Sequence, residues 1–126
     1  YDETTWRPYC HVSDISEAII RVIEAPAKLV SGQVFNAGGN ANNFTKKMIV
    51  DELVKLTPDA KVTYKAGGFD QRDYRVSFDK IRTVLDFEPE YSVPSAIAKV
   101  FACIRSGLYT DVDESRSFYG NYVVNA

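Results

Sequence analysis

The sequence predicts an α/β fold, a small sheet of short strands with several packed helices, and three observations carry that prediction. Residues 6–12, 33–37, 61–65 and 76–78 are short stretches of β-branched, aromatic or alternating composition. Between and after them, apolar residues recur at helical spacing in four segments. Proline and glycine fall at the joints, as at Pro26, Gly32, Pro58 and Gly107.

In chain order, residues 6–12 read as a strand. Pro8 has no N–H to give to a ladder, so the strand starts after it or lies at an edge. Asp14, with Glu17 three residues on, reads as a capping-box start. The helix that follows directs Ile15, Ala18, Ile19, Val22 and Ile23 inward and stops at Pro26. A turn at Ser31 and Gly32 leads to a strand at 33–37, then to Gly38, Gly39 and the asparagine-rich loop 40–43. Thr45 caps a second helix, whose wide apolar face holds Met48, Ile49, Val50, Leu53, Val54 and Leu56.

Residues 61–65 alternate like a half-exposed strand, and 66–75 form a polar, glycine-containing loop. A brief strand at 76–78 runs into a short helix with Asp79 as N-cap and Ile81, Val84 and Leu85 inward. Residues 87–91 are extended. The last helix begins near Val93, with Ser92 as cap and Pro94 tolerated in the first turn, and ends near Ser106 before Gly107. Its inward face is Ile97, Val100, Phe101 and Ile104. Residues 108–126 have no period and read as a polar, aromatic tail. No repeat or linker divides the chain, so one domain, 1–126, is expected.

Composition narrows the function. At 45% hydrophobic and 25% charged, the 126 residues can build one core. The 15 basic and 17 acidic residues are dispersed, with no basic block to neutralise a run of phosphates, which argues against nucleic acid. No stretch approaches the roughly 18 apolar residues of a membrane span, and the start has no signal-peptide pattern, so the protein reads as soluble and cytoplasmic. Cys10 and Cys103 lie far apart in apolar surroundings and read as reduced, buried thiols. One histidine and two scattered cysteines make no metal-ligand spacing. The chain begins at Tyr1 and its one methionine is Met48, from which a removed upstream segment is expected.

Catalytic constellations are missing from the sequence as given. No glycine run matches G-x-G-x-x-G or G-x-x-G-x-x-G, the turn that lets backbone amides approach a dinucleotide pyrophosphate. No tyrosine is followed four residues later by lysine. His11 has no nucleophile in a credible spacing, and the carboxylate pairs at 51–52 and 111–114 read as solvated charge. No catalytic residue is assigned.

Four blocks in register nonetheless point to a family. Residues 7–14 (RPYCHVSD), 34–39 (VFNAGG), 71–81 (QRDYRVSFDKI) and 85–89 (LDFEP) resemble the R-x-[YF]-x-H-V-x-D, V-F-N-x-G, D-x-R-x-Y-x-x-D-x-x-K-I/A and L-G-[FW]-x-P blocks of extended short-chain dehydrogenases/reductases of the nucleotide-sugar epimerase/dehydratase type. These blocks lie in that family's C-terminal half, and the resemblance spans residues 6–107. It implies a substrate-binding subdomain whose Rossmann domain lies elsewhere in an isomerase or lyase. That N-terminal domain would bind NAD or NADP and carry the catalytic Tyr-x-x-x-Lys, so this chain alone would bind no cofactor. The implied partners are a nucleoside-diphosphate sugar, the protein's own Rossmann domain, and a second copy in a homodimer.

By motif position the resemblance nominates Arg7 and Arg72 for the diphosphate, with Arg75 as the alternative to Arg72, and Asn43 as a polar contact. It leaves Tyr9 and Tyr74 either lining the pocket or filling the core. His11 and Asp14 are expected to be structural, the histidine satisfying a buried hydrogen bond and the aspartate capping. Two other readings stand beside this one. A non-catalytic scaffold or cofactor sensor of the same fold would have no need of the phosphate arginines. A self-sufficient anion-binding module would leave apolar faces open and be weakly stable or self-associating.

Overall fold

The computed structural model describes residues 3–64 and 72–109. Lys65, most of the expected loop 66–75 up to residue 71, and the tail from 110 onward lie outside the described residues. The elements are β1 (Trp6–Pro8), α1 (Val12–Glu24), α2 (Ala27–Val30), a 3-10 turn (Asn40–Asn42), β2 (Asn43–Thr45), α3 (Lys46–Leu56), α4 (Asp79–Leu85) and α5 (Val93–Arg105). The fold is α/β, with helices around a small antiparallel sheet. Among the described residues no helix is long and apolar enough to cross a membrane.

β1 and β2 pair antiparallel, with Trp6 opposite Thr45, Arg7 opposite Phe44 and Pro8 opposite Asn43. Pro8 therefore closes the strand at a sheet edge rather than preceding it. The expected strands at 33–37, 76–78 and the described part of 61–65 are extended segments outside the ladder. At 33–37 and 76–78 side chains take the backbone groups that a neighbouring strand would have taken. The Asn43 carboxamide accepts from Val76 N at 2.9 Å and donates to Val76 O at 3.0 Å. Asn40 Oδ1 accepts from Phe78 N at 2.9 Å, Asn36 Nδ2 donates to Ser77 O at 3.3 Å, and Lys80 Nζ donates to Val34 O at 2.8 Å.

Helix α1 starts two residues before Asp14. His11 is its cap, with Nδ1 accepting from Ser13 N at 3.2 Å, and its ring stacks on Tyr91 at 4.0 Å between centroids. Asp14 does not cap α1. It is buried, and its carboxylate accepts from the backbone of Glu90 at 2.9 Å and Tyr91 at 3.2 Å, which ties α1 to the loop ahead of α5. Glu17 pairs instead with Arg21 one turn on, at 2.8 Å.

The buried side of α1 is set by Asp14 and Ala18, the latter a side chain small enough to let the helix lie close to the core. Ile15, Ile19 and Ile23 point the other way, Ile23 at 75% exposure, so the inward face expected for this helix is corrected at those three positions.

The core is small: Ala18, Phe78, Ile81 and Phe87, with Phe35, Ala37, Val76 and Leu85 packed against it. The two adjacent glycines permit it. A Cβ on Gly38, whose φ is +150°, would sit 2.7 Å from the Phe78 ring, and one on Gly39 would sit 2.7 Å from Pro89 Cγ. Asp79 falls in the first turn of α4, with Phe78 at the cap position. Hydrogen bonds from Ser77 Oγ and then Asn40 hold its carboxyl below the usual carboxylate range. At the other end of α4, Arg21 Nη1 reaches the carbonyls of Leu85 at 3.4 Å and Asp86 at 2.5 Å, where Asp86 takes a left-handed φ of 50°.

The caps on α3 and α5 are those the sequence predicts. Thr45 Oγ1 accepts from Met48 N, and Ser92 Oγ accepts from Ser95 N, each at 3.2 Å. These two helices face one another across an apolar groove of about 510 Å³ that includes Ile49, Leu53, Ile97, Phe101 and Ile104.

Asn42 joins the two halves of this arrangement. It is buried, donating through Nδ2 to Tyr91 O at 2.9 Å and accepting through Oδ1 from Val93 N at 3.0 Å. Asn42→Ala strands both backbone groups, and urea unfolding should show a loss of about 2–4 kcal/mol. In residues 1–126 alone, Ile23→Lys, on the open side of α1, should change stability by no more than about 0.5 kcal/mol in the same measurement.

Candidate functional site

The candidate site forms where β1 meets the segment 72–78, although the two are far apart in sequence. Trp6 N donates to Asp73 Oδ1 at 2.8 Å, and Tyr74 N donates to Trp6 O at 3.4 Å. These contacts, with the Asn43 clamp on Val76, lay the segment along the edge of β1 opposite β2. Arg7 then comes to rest with its guanidinium carbon 5.3 Å from the centre of the Tyr74 ring, while its Nη1 donates to Trp6 O at 2.7 Å. A cation over an aromatic face is held by the ring quadrupole without losing the in-plane N–H groups that recognise oxyanions.

A cavity of about 300 Å³ adjoins this pair, lined by Tyr9, Cys10, Asn36, Tyr74, Val76 and Phe78. Tyr9 and Tyr74, which the sequence leaves between pocket and core, both border it, and neither is fully buried. Arg72 is exposed at the start of the described segment. Tyr74 faces Arg7. Arg75 falls on the other face, where its guanidinium carbon lies 4.9 Å from the centre of the Trp6 ring. The geometry thus pairs Tyr74 with Arg7, and Arg75 with Trp6.

Asn43 is present at the site, but its carboxamide is engaged on both sides. It exchanges two hydrogen bonds with Val76 and donates to Asn40 O at 3.0 Å, which makes it a holder of the 72–78 segment. Trp6 and Asp73 are not among the residues the family resemblance nominates. The adjacency of Trp6 to Arg7 and of Asp73 to Arg72 was the available signal.

Cys10 lines both the 300 Å³ cavity and the larger groove between α3 and α5. Its thiol lies 3.7 Å from His11 O, and burial, then the nearby Asp14 carboxylate, push its pKa above the ordinary thiol value. Among the described residues no group of three or more His, Cys, Asp or Glu gathers in a way that could hold a metal ion.

A dinucleotide cofactor needs a backbone cradle, and among the described residues the adjacent glycine pair is Gly38 and Gly39. The space beside Gly38 is filled by Phe78 and that beside Gly39 by Pro89, so both glycines serve internal packing and leave no room for a pyrophosphate. This pair therefore offers no dinucleotide cradle.

In comparison with known proteins, the model of the NAD dependent epimerase/dehydratase family matches residues 1–38. That match takes in β1 with Arg7 and Tyr9, both helices α1 and α2, and the chain as far as Gly38. The chain is similar to that family over this portion.

Because a raised thiol pKa lowers the thiolate fraction, and the thiolate is the nucleophile, Cys10 should alkylate slowly in the native protein. Peptide mapping after iodoacetamide treatment at pH 8 should find its labelling several-fold slower than in urea; equal rates would contradict the burial argued above.

Proposed function

We propose that this chain is the substrate-holding part of an NAD(P)-dependent nucleotide-sugar epimerase/dehydratase, and that Arg7 and Arg72 take the diphosphate of its sugar nucleotide. The observation that carries the reading is the meeting of two arginine-bearing segments, β1 and residues 72–76, beside a cavity bordered by Tyr9 and Tyr74. A diphosphate offers oxygens along two adjoining groups. Arginines approaching from separate segments can each give it charge-assisted, forked hydrogen bonds that fix its register. The tyrosines border the volume into which the rest of the ligand would extend, and Asn43 holds the second segment in place.

The reaction assigned to the whole protein is a transient hydride transfer to and from a bound nicotinamide. NAD or NADP would supply that hydride chemistry from a Rossmann domain of the same protein. The isoleucine stripe of α1 supports such a neighbour, being an apolar face that packs on nothing described in this chain. Within this division the chain binds and orients, and contributes no catalytic group.

Calorimetric titration of the full-length protein with a panel of nucleoside diphosphates tests the reading. Binding is expected, and Arg7→Ala and Arg72→Ala should each weaken it by about 10–100-fold, the equivalent of one or two charge-assisted hydrogen bonds. Nucleoside monophosphates should bind more weakly than diphosphates to the wild type. Absence of binding to any of the panel would sink the proposal and favour a non-catalytic scaffold.

A further inference from the structure

Trp6 is the hub of the contacts that bring the two arginine segments together. Its N–H donates to Asp73, its carbonyl accepts from Tyr74 N and from Arg7, and its ring lies under Arg75. Three successive residues, 73, 74 and 75, thus converge on one strand position, each through a different chemical group. A lone exposed cation over a ring contributes little. Here the same ring belongs to the residue whose backbone anchors the segment, so the ring contact fixes the rotation of the segment as well as its position.

We infer that the Trp6–Arg75 pair is a latch on the reverse face of the site, and that Arg75 is a positioning residue for Arg72 and Tyr74 without itself contacting the ligand. This rests on the reading of Arg7 and Arg72 as the diphosphate contacts. The segment is pinned at Val76 by Asn43 and at 73–75 by Trp6. With both points held, Tyr74 faces Arg7. Release of Arg75 leaves the Val76 clamp and the two Trp6 backbone bonds, and loosens the hold of those bonds on residues 73 and 74. Arg75 carries a full charge close to a bound diphosphate yet faces away from it, so its loss and the loss of Arg72 differ in kind.

Three measurements on the full-length protein separate these roles. Arg75→Ala should weaken nucleoside-diphosphate binding by about 2–5-fold, the order of a single cation–ring contact. It should do so equally at low and high salt, whereas Arg72→Ala should flatten the salt dependence because a direct ionic contact is gone. Arg75→Lys, which keeps a cation over the ring, should recover most of the affinity. In a double-mutant cycle Trp6→Leu and Arg75→Ala should together cost no more than the larger single effect, since both break one contact. Additive losses, or a flattened salt dependence for Arg75→Ala, would make Arg75 a ligand contact and overturn the inference.

The third readout needs no ligand. Hydrogen exchange of the Trp6 and Tyr74 amides should quicken in Arg75→Ala and return toward wild type in Arg75→Lys. Unchanged exchange in Arg75→Ala overturns the latch whether or not the protein binds a nucleotide. Failure of the wild type to bind, with exchange behaving as expected, overturns the assigned function and leaves the latch standing.

Discussion

The carboxamides of Asn40, Asn42 and Asn43 reach the backbone of two remote stretches, 76–78 and 91–93, and the rest of the arrangement depends on those bonds. A two-stranded sheet with three residues in each strand cannot satisfy the polar backbone of the extended segments around it. Each unsatisfied buried group would cost as much as several apolar contacts gain. An asparagine side chain carries the same donor and acceptor pair as a peptide, so one residue can stand in for one rung of a ladder. Asn43 does so toward Val76, and Asn42 does so toward Tyr91 and Val93. A loop that resembles a polar, ligand-facing turn in composition is therefore the fastener of the fold.

Asp14 applies the same device from the helical side. Its carboxylate accepts two backbone N–H groups of the loop that leads into α5, while the Asn42 carboxamide holds the next residues of that loop. Ala18, one turn along α1, lets the helix approach Phe87 and Ile81. The side chains that bury α1 are therefore its small and polar ones, and its isoleucines remain on the outside.

Local chemistry in the sequence foretold local structure well. Thr45 and Ser92 were readable as caps because the N–H that each receives lies three residues ahead on the same helix. Asp14 was not readable in the same way, because the groups it holds are 76 and 77 residues away and a capping box explained its position equally well. Periodicity found the isoleucines of α1, but a period marks which residues share a face and says nothing about which body covers it. At the site, family resemblance alone nominates Arg7 and Arg72, and nothing in the composition brings β1 to the stretch 73–75. The approach of Arg75 to the Trp6 ring is a fact of tertiary contact that composition does not encode.

The small size of the core ties the site to the fold. β1 carries Arg7 on one face and Trp6 on the other, and residues 73–76 beside it are held by four hydrogen bonds and two cation–ring contacts, while Phe78 further on belongs to the core. Those interactions are individually worth about 1 kcal/mol, the scale on which single segments open and close in native proteins. A dianion bridging Arg7 and Arg72 would add its own free energy to the same contacts, about 2.7 kcal/mol at a hundredfold excess over Kd. Ligand binding and docking of the segment are then one equilibrium, in which each strengthens the other. A site built this way need not be rigid before substrate arrives, provided that Trp6 and Asn43 keep its two halves in register.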